Sequence, residues 1–551
     1  MHQLTPANQA EEAGLGPALE DLRSARALVV DANPTSRSIL RGILIDLGVK
    51  AEKVRQAGRY SEARSELEHH QYDIVLCDYH FQETTQTGAD LVDELRLANL
   101  LPYTTVFIMV TSEASYGRVA EAAEFALDSY LLKPHNHNNL ARRLAAARHR
   151  KMALSDIFQA LQEEDYQLAA NLCQARFDTR AEYWVYAARI GGELMLRLGR
   201  HDDARKLFEA LDATKALPWA RLGIARAQLD GGNVAPARRT LESLIVDNPS
   251  YADAYDVMGR ALFQSGDFEQ AFETYKKAVE VTPSSVSRLQ KLGMLAFHMG
   301  KKEEAAKALQ RAATLGGMSS MFDYQSLVLL ALHHFEHKDG KELQKCVNQL
   351  MQAHQKAPRS TRLRRMYEVL NILSLMLQRQ VAEVVRRVKN LPREFATPDF
   401  DMEAAGNVMS LLIRLSNSEL ELPDAEMWIT RLAQRFCISK AMTDMFCMIS
   451  STNTRYQDLV REAYAHIMDI AGQTLARCKT GDVSGALQDL LRHAEQTSNI
   501  KLIDLTDMVL QRYRSHLTSP ELEIRVLALR KKYGRLPPPA VEQPAKAGSA
   551  A

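Results

Sequence analysis

Small residues return along the middle of this 551-residue chain at an interval of 34 positions, and that interval constrains the fold more than any other feature. Ala225, Gly259 and Gly293 share one phase, and Gly232, Gly266 and Gly300 share a second. Ala237, Ala271 and Ala305 share a third, and Pro249 and Pro283 close their units. A unit of this length holds two helices and cannot bury its apolar face alone, so it must stack on copies of itself. Each phase has a mechanical task. The first small residue lets two helices approach closely, and the second glycine permits a left-handed turn between them. The alanine packs at the closest crossing of the second helix, and the proline ends that helix. Gly191, Gly199, Ala204 and Pro218 make a slightly expanded earlier unit, and GDVSGAL at 481–487 marks a late one. The 26 glycines and 18 prolines fall below the usual share of about 7% and 5%, which favours long helices over an all-β chain.

The unit at 252–285, ADAYDVMGRALFQSGDFEQAFETYKKAVEVTPSS, resembles the tetratricopeptide repeat through Tyr255, Met258, Gly259, Leu262, Gly266, Ala271, Tyr275, Ala278 and Pro283. The units at 218–251 and 286–319 match well. The resemblance implies tetratricopeptide repeats over 156–319 and degenerate helical repeats of the same superhelix over 320–533. It also implies a concave groove lined by the first helices, with Trp219, Arg226, Asp256, Arg260, Phe263, Met294 and Phe297 as the candidate contacts for an unknown protein ligand. The groove lacks the Lys and Asn pattern of a carboxylate clamp, so a helix or an extended protein segment is the expected ligand.

The N-terminal quarter has another character. Residues 1–24 are polar, lack periodicity and read as a flexible arm. From 25 to 137, continuous apolar runs alternate with amphipathic stretches: ALVV at 27, IVLC at 74, VFIMV at 106 and YLL at 130, with a weak run near 53–56 and a helical stretch over 34–47. Such runs indicate an α/β domain whose parallel sheet is covered on both faces. Asp31, Asp78 and Thr111 stand where strands end, and Lys133 follows the fifth. Ligands in parallel sheets gather at these ends. A carboxylate that accepts a phosphoryl group needs acids to hold a divalent cation, a hydroxyl for a phosphoryl oxygen, and a fixed cation.

The motifs LVVDANPTSR, IVLCD, VTSEA and YLLKP resemble the receiver domain of bacterial two-component response regulators, a doubly wound, flavodoxin-like domain with a five-stranded parallel sheet. The resemblance implies Asp78 as phosphoacceptor. It implies Mg²⁺ held by Asp31, Asp78 and the backbone carbonyl of His80, and Lys133 on the acyl phosphate, its bond to Pro134 cis. Thr111 and Tyr130 become the switch pair. A sensor histidine kinase or phosphotransfer protein becomes the donor. Ala32 stands where the family has a second acid, which is expected to weaken Mg²⁺ binding. Ten residues separate Asp78 from Gly88, two more than is common, and the usual Met-Pro is absent.

Other features fit this frame or stay silent. With 69 basic and 68 acidic residues the net charge is +1, so no global field points to nucleic acid or membrane. Six scattered cysteines without a CxxC pair argue against disulfides or structural zinc and for a reducing cytosol. The N-terminus lacks a secretory design, and no apolar run reaches the roughly 18 residues of a membrane span. His135 and His137 have poor ring spacing without further ligands, and His333, His334 and His337 carry no acidic or Cys partner motif; both groups read as structural, with Asn138 or Asn139 capping the helix that follows the first. Cys77 reads as strand packing. Residues 138–155 read as a helical connector from the receiver, either a rigid coupler or a solvated basic face. The basic stretch 362–393 (Arg362, Arg364, Arg365, Arg379, Arg386, Arg387, Lys389, Arg393) reads as a solvated or acidic-partner face rather than a nucleic-acid site. Residues 534–551 read as a disordered tail. The expected protein is therefore a cytoplasmic response regulator, not an enzyme, that signals through protein contacts. A phosphorylation-independent scaffold and, further off, a nucleic-acid-binding regulator are the alternatives.

Overall fold

A computed structural model describes residues 21–81, 87, 88, 91, 92, 95, 100–102, 104–111, 129–133, 137–283, 285–316, 322–418, 422–513 and 520–533. Five parallel strands, β1 (Ala27–Val30), β2 (Val54–Ala57), β3 (Ile74–Asp78), β4 (Val106–Thr111) and β5 (Ser129–Leu132), stand in the order β2-β1-β3-β4-β5. The apolar runs alternate between the two faces of this sheet. Leu28, Val30, Val75, Cys77, Phe107 and Met109 share a cluster with Tyr60 and Leu67 of helix α2 (Tyr60–His69). Val29, Ile74, Leu76, Ile108 and Val110 share the opposite cluster with Leu40 and Leu44 of α1 (Pro34–Asp46). Each large side chain fully buried in this way contributes about 2 kcal/mol.

Two expected boundaries move. Helix α3 (His137–Ala153) puts Leu140, Leu144 and Ala147 into the second cluster, so most of the 138–155 connector is a structural helix of the receiver. The same cluster takes Leu22, from the short 3-10 turn Asp21–Arg23, so the end of the expected arm belongs to the domain core. Asn138 and Asn139 lie inside the first turn of α3 rather than capping it.

Helices then follow without interruption by strand among the described residues: α4 (Ser155–Gln162), α5 (Tyr166–Asp178), α6 (Trp184–Arg197), α7 (His201–Thr214), α8 (Pro218–Asp230), α9 (Val234–Asp247), α10 (Ala252–Ser265), α11 (Phe268–Val281), α12 (Val286–His298) and α13 (Lys302–Gly316). The set continues with α14 (Gln325–Glu336), α15 (Gly340–Lys356), α16 (Thr361–Leu377), α17 (Val381–Val388), α18 (Met402–Ser416), α19 (Ala425–Phe436) and α20 (Lys440–Ile449). It closes with α21 (Thr454–Lys479), α22 (Val483–Thr497), α23 (Ile500–Arg512) and α24 (Pro520–Tyr533). Most consecutive helices pack against each other.

The phases of the 34-residue period perform their tasks. Ala237, Ala271 and Ala305 are fully buried. A Cβ on Gly259 would stand 2.5 Å from the Tyr275 ring, closer than any side chain tolerates. Gly232, Gly266 and Gly300 take the left-handed turn with φ of 82, 83 and 78°. The same corner recurs beyond the recognisable units, where Lys338 and Arg379 hold φ at 57° without glycine.

The long helix expected from the receiver into the first repeat is broken at Leu154, which separates α3 from α4 with φ −109° and ψ 20°. The end of α3 nevertheless touches the repeats. His149 Nδ1 lies 2.8 Å from the Tyr183 hydroxyl, and the Arg150 guanidinium lies over the Tyr186 ring at 4.6 Å.

Candidate functional site

In an open parallel sheet the ligand crevice opens where adjacent strands send their connections to opposite faces. Here β1 lies between β2 and β3, and Val30 pairs with both Ala57 and Cys77, so Asp31 and Asp78 emerge side by side at that crevice. Thr111 ends β4 and is buried, and its carbonyl accepts the Lys133 backbone N–H at 2.7 Å, which seats Lys133 beside the two acids. The Lys133 ammonium then donates to Asp31 Oδ2 at 2.6 Å and to Asp78 Oδ2 at 2.8 Å. Asp31, Asp78, Thr111 and Lys133 thus stand at the ends of four separate strands, β1, β3, β4 and β5.

Asp31 is the better satisfied acid. The Ser36 hydroxyl donates to its Oδ2 at 2.6 Å and the Asn33 backbone N–H to its Oδ1 at 2.8 Å. Its burial favours the neutral form, yet the hydrogen bonds from Lys133, Ser36 and Asn33 outweigh burial and hold the carboxyl below its ordinary value. Asp78 has fewer donors. Burial pushes its carboxyl up, Lys133 opposes this, and the Asp31 charge adds to the rise. Burial would lower the Lys133 ammonium, but the two carboxylates raise it instead. Two carboxylates sharing one ammonium leave a net negative charge in a half-buried site. A divalent cation on hard oxygen donors would offset that excess, and Asp31 and Asp78 are the carboxylates placed to hold it. Ala32 supplies no side-chain oxygen.

Several supporting residues were not singled out from sequence. Arg37 donates to the Asp31 carbonyl at 2.5 Å and to the Ala32 carbonyl at 3.2 Å, which fixes the loop that carries the acid. Asn33 accepts from the Thr35 and Ser36 N–H groups as the N-cap of α1, with Pro34 in the first turn. The Asn-Pro pair was the available signal. Gly88 packs against the site's back wall: a Cβ there would lie 2.5 Å from the Asp78 carbonyl oxygen. His80 and Thr87 form an antiparallel bridge at the mouth of the longer loop. Tyr130 lies on β5 opposite Met109. Pro134, with its expected cis bond, and His135 lie outside the described residues, as do the tail at 534–551 and most of the N-terminal arm. Cys77 is buried, and burial followed by the nearby carboxylates raises its thiol well above the usual range, which fits strand packing.

The expected open groove requires correction. Helix α20 lies against α10 and α12, across the inner face of the repeats. Met445, Met448 and Ile449 of α20 belong to the same apolar cluster as Phe263 and Phe297. Met294 packs on the adjoining cluster. Phe297, His298, Arg414 and Met448 line a cavity of about 440 Å³ at this junction. The charged groove residues are engaged between neighbouring units. Arg226 pairs with Glu193 at 2.5 Å and Arg260 with Asp230 at 3.0 Å. Asp256 accepts from Arg288 at 2.8 Å, and Arg288 also reaches Asp253 at 2.5 Å. Trp219 packs edge-on to Phe208 at 6.3 Å.

Much of the basic stretch finds acidic partners inside the chain. Arg362 binds Asp323 and Glu403, Arg364 and Arg365 bind Glu394, and Arg387 binds Glu368 and Glu383. A surface neutralised in this way offers little counterion release to nucleic acid.

Known proteins share parts of this sequence. The family described as "Response regulator receiver domain" matches residues 27–145, and families described as "Tetratricopeptide repeat" match 195–261 and 252–285. The chain belongs to the response regulator receiver family through its N-terminal domain, and tetratricopeptide repeats follow that domain. The chemotaxis protein CheY of Pseudomonas aeruginosa is 30% identical over 109 residues, 20% of this chain and 84% of that protein. CheY-3 of Vibrio cholerae is 28% identical over 122 residues, 22% of this chain and 90% of that protein. Among solved structures, a thermophilic TPR protein of Thermus thermophilus shares 26% identity over 32% of this chain and 94% of its own, with a TM-score of 0.26. Receiver domains generally bind Mg²⁺ at the phosphorylation site and interact with histidine kinases or phosphotransfer proteins, and tetratricopeptide repeats mediate protein contacts. Among the described residues no helix is long and apolar enough to cross a membrane.

Proposed function

We propose that the protein is a phosphorelay response regulator of the cytosol that binds rather than catalyses, with Asp78 as its phosphoacceptor and the repeats as its output. The observation that carries this reading is the Lys133 ammonium held between Asp31 and Asp78 at 2.6 and 2.8 Å. In the transfer, a carboxylate oxygen of Asp78 forms a bond to phosphorus as the bond to the donor's phosphohistidine nitrogen breaks. Asp31, Asp78 and the His80 carbonyl would hold Mg²⁺, which when bound neutralises phosphoryl charge. Lys133 shifts from bridging two acids to contacting the new acyl phosphate. The modification adds roughly 1.5 to 2 negative charges, and Thr111, at the end of β4, and Tyr130, within β5, form the switch that responds to it.

The repeats follow the receiver through α3, whose end contacts Tyr183 and Tyr186, so a change at β5 has a short mechanical route to α6. The output is a protein contact made by the repeats. Incubation with acetyl phosphate and Mg²⁺ tests the reading by intact mass: wild type gains one phosphoryl group and Asp78→Ala gains none. Equal labelling of the two, or none of either at saturating Mg²⁺, rejects it. Ala32→Asp restores the missing oxygen donor and is expected to tighten Mg²⁺ binding about tenfold, since one added hard ligand accounts for roughly 1.4 kcal/mol.

A further inference from the structure

The fold brings a third candidate ligand to the histidines at 333 and 337. His333 lies in the last turn of α14, His337 caps that helix, and Glu303 reaches them from the first turn of α13. Residues four apart on a helix share a face, and the two rings stand 4.3 Å apart between centroids. One ligand atom from each of Glu303, His333 and His337 lies within 4.8 Å of the other two. Around a four-coordinate ion with bonds of about 2.0–2.2 Å, neighbouring ligand atoms lie roughly 3.4 Å apart. The Glu303 side chain is exposed, so its carboxylate has room to move toward the rings.

The hydrogen bonds prepare the rings for this role. His337 Nδ1 lies 2.9 Å from the His333 carbonyl oxygen, to which it can only donate, so its Nε2 keeps a lone pair. That Nε2 is 4.0 Å from Glu303 Oε1. A ring tethered through one nitrogen to a backbone carbonyl is the outer contact that metal-ligating histidines generally make. His333 Nδ1 is inaccessible to solvent without a hydrogen-bond partner, which is uncommon for a polar atom. The nearby Glu336 is committed to Lys302 and Arg414 and stands outside the ligand set.

We propose that Glu303, His333 and His337 form a site for a divalent transition-metal ion, with water completing its shell. Two imidazoles and one carboxylate suit Zn²⁺, Ni²⁺ or Cu²⁺ and not Mg²⁺, so the site is chemically separate from the receiver crevice. Its ligands come from two successive helical pairs, at the step where the 34-residue signature ends. A bound ion clips α13 to α14 at that step.

Calorimetric titration of the full-length, chelator-stripped protein with Zn²⁺ tests this. Wild type is expected to bind one ion saturably, Ni²⁺ to compete for it, and Mg²⁺ to leave it unchanged. His337→Ala and Glu303→Gln should each weaken Zn²⁺ at least about tenfold, and His333→Ala/His337→Ala should abolish it. Zn²⁺ should also raise the melting temperature of wild type and not of the double variant. Absence of binding to wild type, or an isotherm unchanged in the double variant, overturns the proposal. Should the double variant melt early without metal, Glu303→Gln and His337→Gln decide the matter, because both side chains are half-exposed or more.

Discussion

The clear repeats around 218–316 and the faded ones at 322–416 build the same corner by different means. In the first region glycine occupies the left-handed turn, as at Gly232 and Gly300; in the second Lys338 and Arg379 hold it. A non-glycine residue there costs about 1 kcal/mol or more. The faded region therefore accepts local strain, and packing between helices must hold the turn. The two regions also join their units differently. Arg288 is buried and binds Asp253 and Asp256, whereas Arg362 is 40% exposed and binds Asp323 and Glu403. The recognisable sequence signature thus marks where backbone geometry is set locally, and its loss marks where tertiary contacts set it instead.

The largest expected effect separates the two ion networks. Arg288→Ala leaves two acids without their buried partner and should destabilise by about 3 kcal/mol. Arg362→Ala should cost about 1 kcal/mol, because water screens that pair. Urea denaturation of both variants checks this; equal losses would erase the distinction. Next, Gly259→Ala should cost about 2 kcal/mol by driving a methyl group into the Tyr275 ring, read as an earlier urea midpoint. Smaller again, Gly232→Ala should cost about 1 kcal/mol, since no atom crowds the site and only the backbone resists. Smallest and opposite in sign, Lys338→Gly and Arg379→Gly should each stabilise by about 0.5 kcal/mol, as relief of the turn outweighs the entropy of glycine. Hydrogen exchange of the helices flanking each corner should follow the same sign. Destabilisation by the glycine variants would mean that Lys338 and Arg379 contribute packing that exceeds the strain.

Much of the fold and of the candidate site was legible because both rest on short-range pattern. Strands buried on both faces must be continuously apolar, so LVVD and IVLCD revealed their ends and with them Asp31 and Asp78. Three things were not legible, each for a physical reason. Leu22 and Leu144 join the receiver core through contacts that no periodicity reports. Helix α20 crosses α10 and α12 through a tertiary contact between residues far apart in sequence, so the groove looked open. Glu303 meets His333 and His337 only because a helical hairpin reverses the chain, so a search for neighbouring ligands passed over it.

The placement of α20 has a mechanical consequence. An open stack of helical pairs behaves as a spring, because each unit touches only its neighbours and small rotations accumulate along the axis. With α20 braced against α10 and α12, the stretch from α10 to α20 becomes a closed frame, and Gln325 and Asn407 stiffen it with two reciprocal buried amide bonds. The pairs from α4 to α9 lie outside that frame, next to the receiver. Bending of the array is therefore expected to concentrate in α4–α9 rather than within the frame.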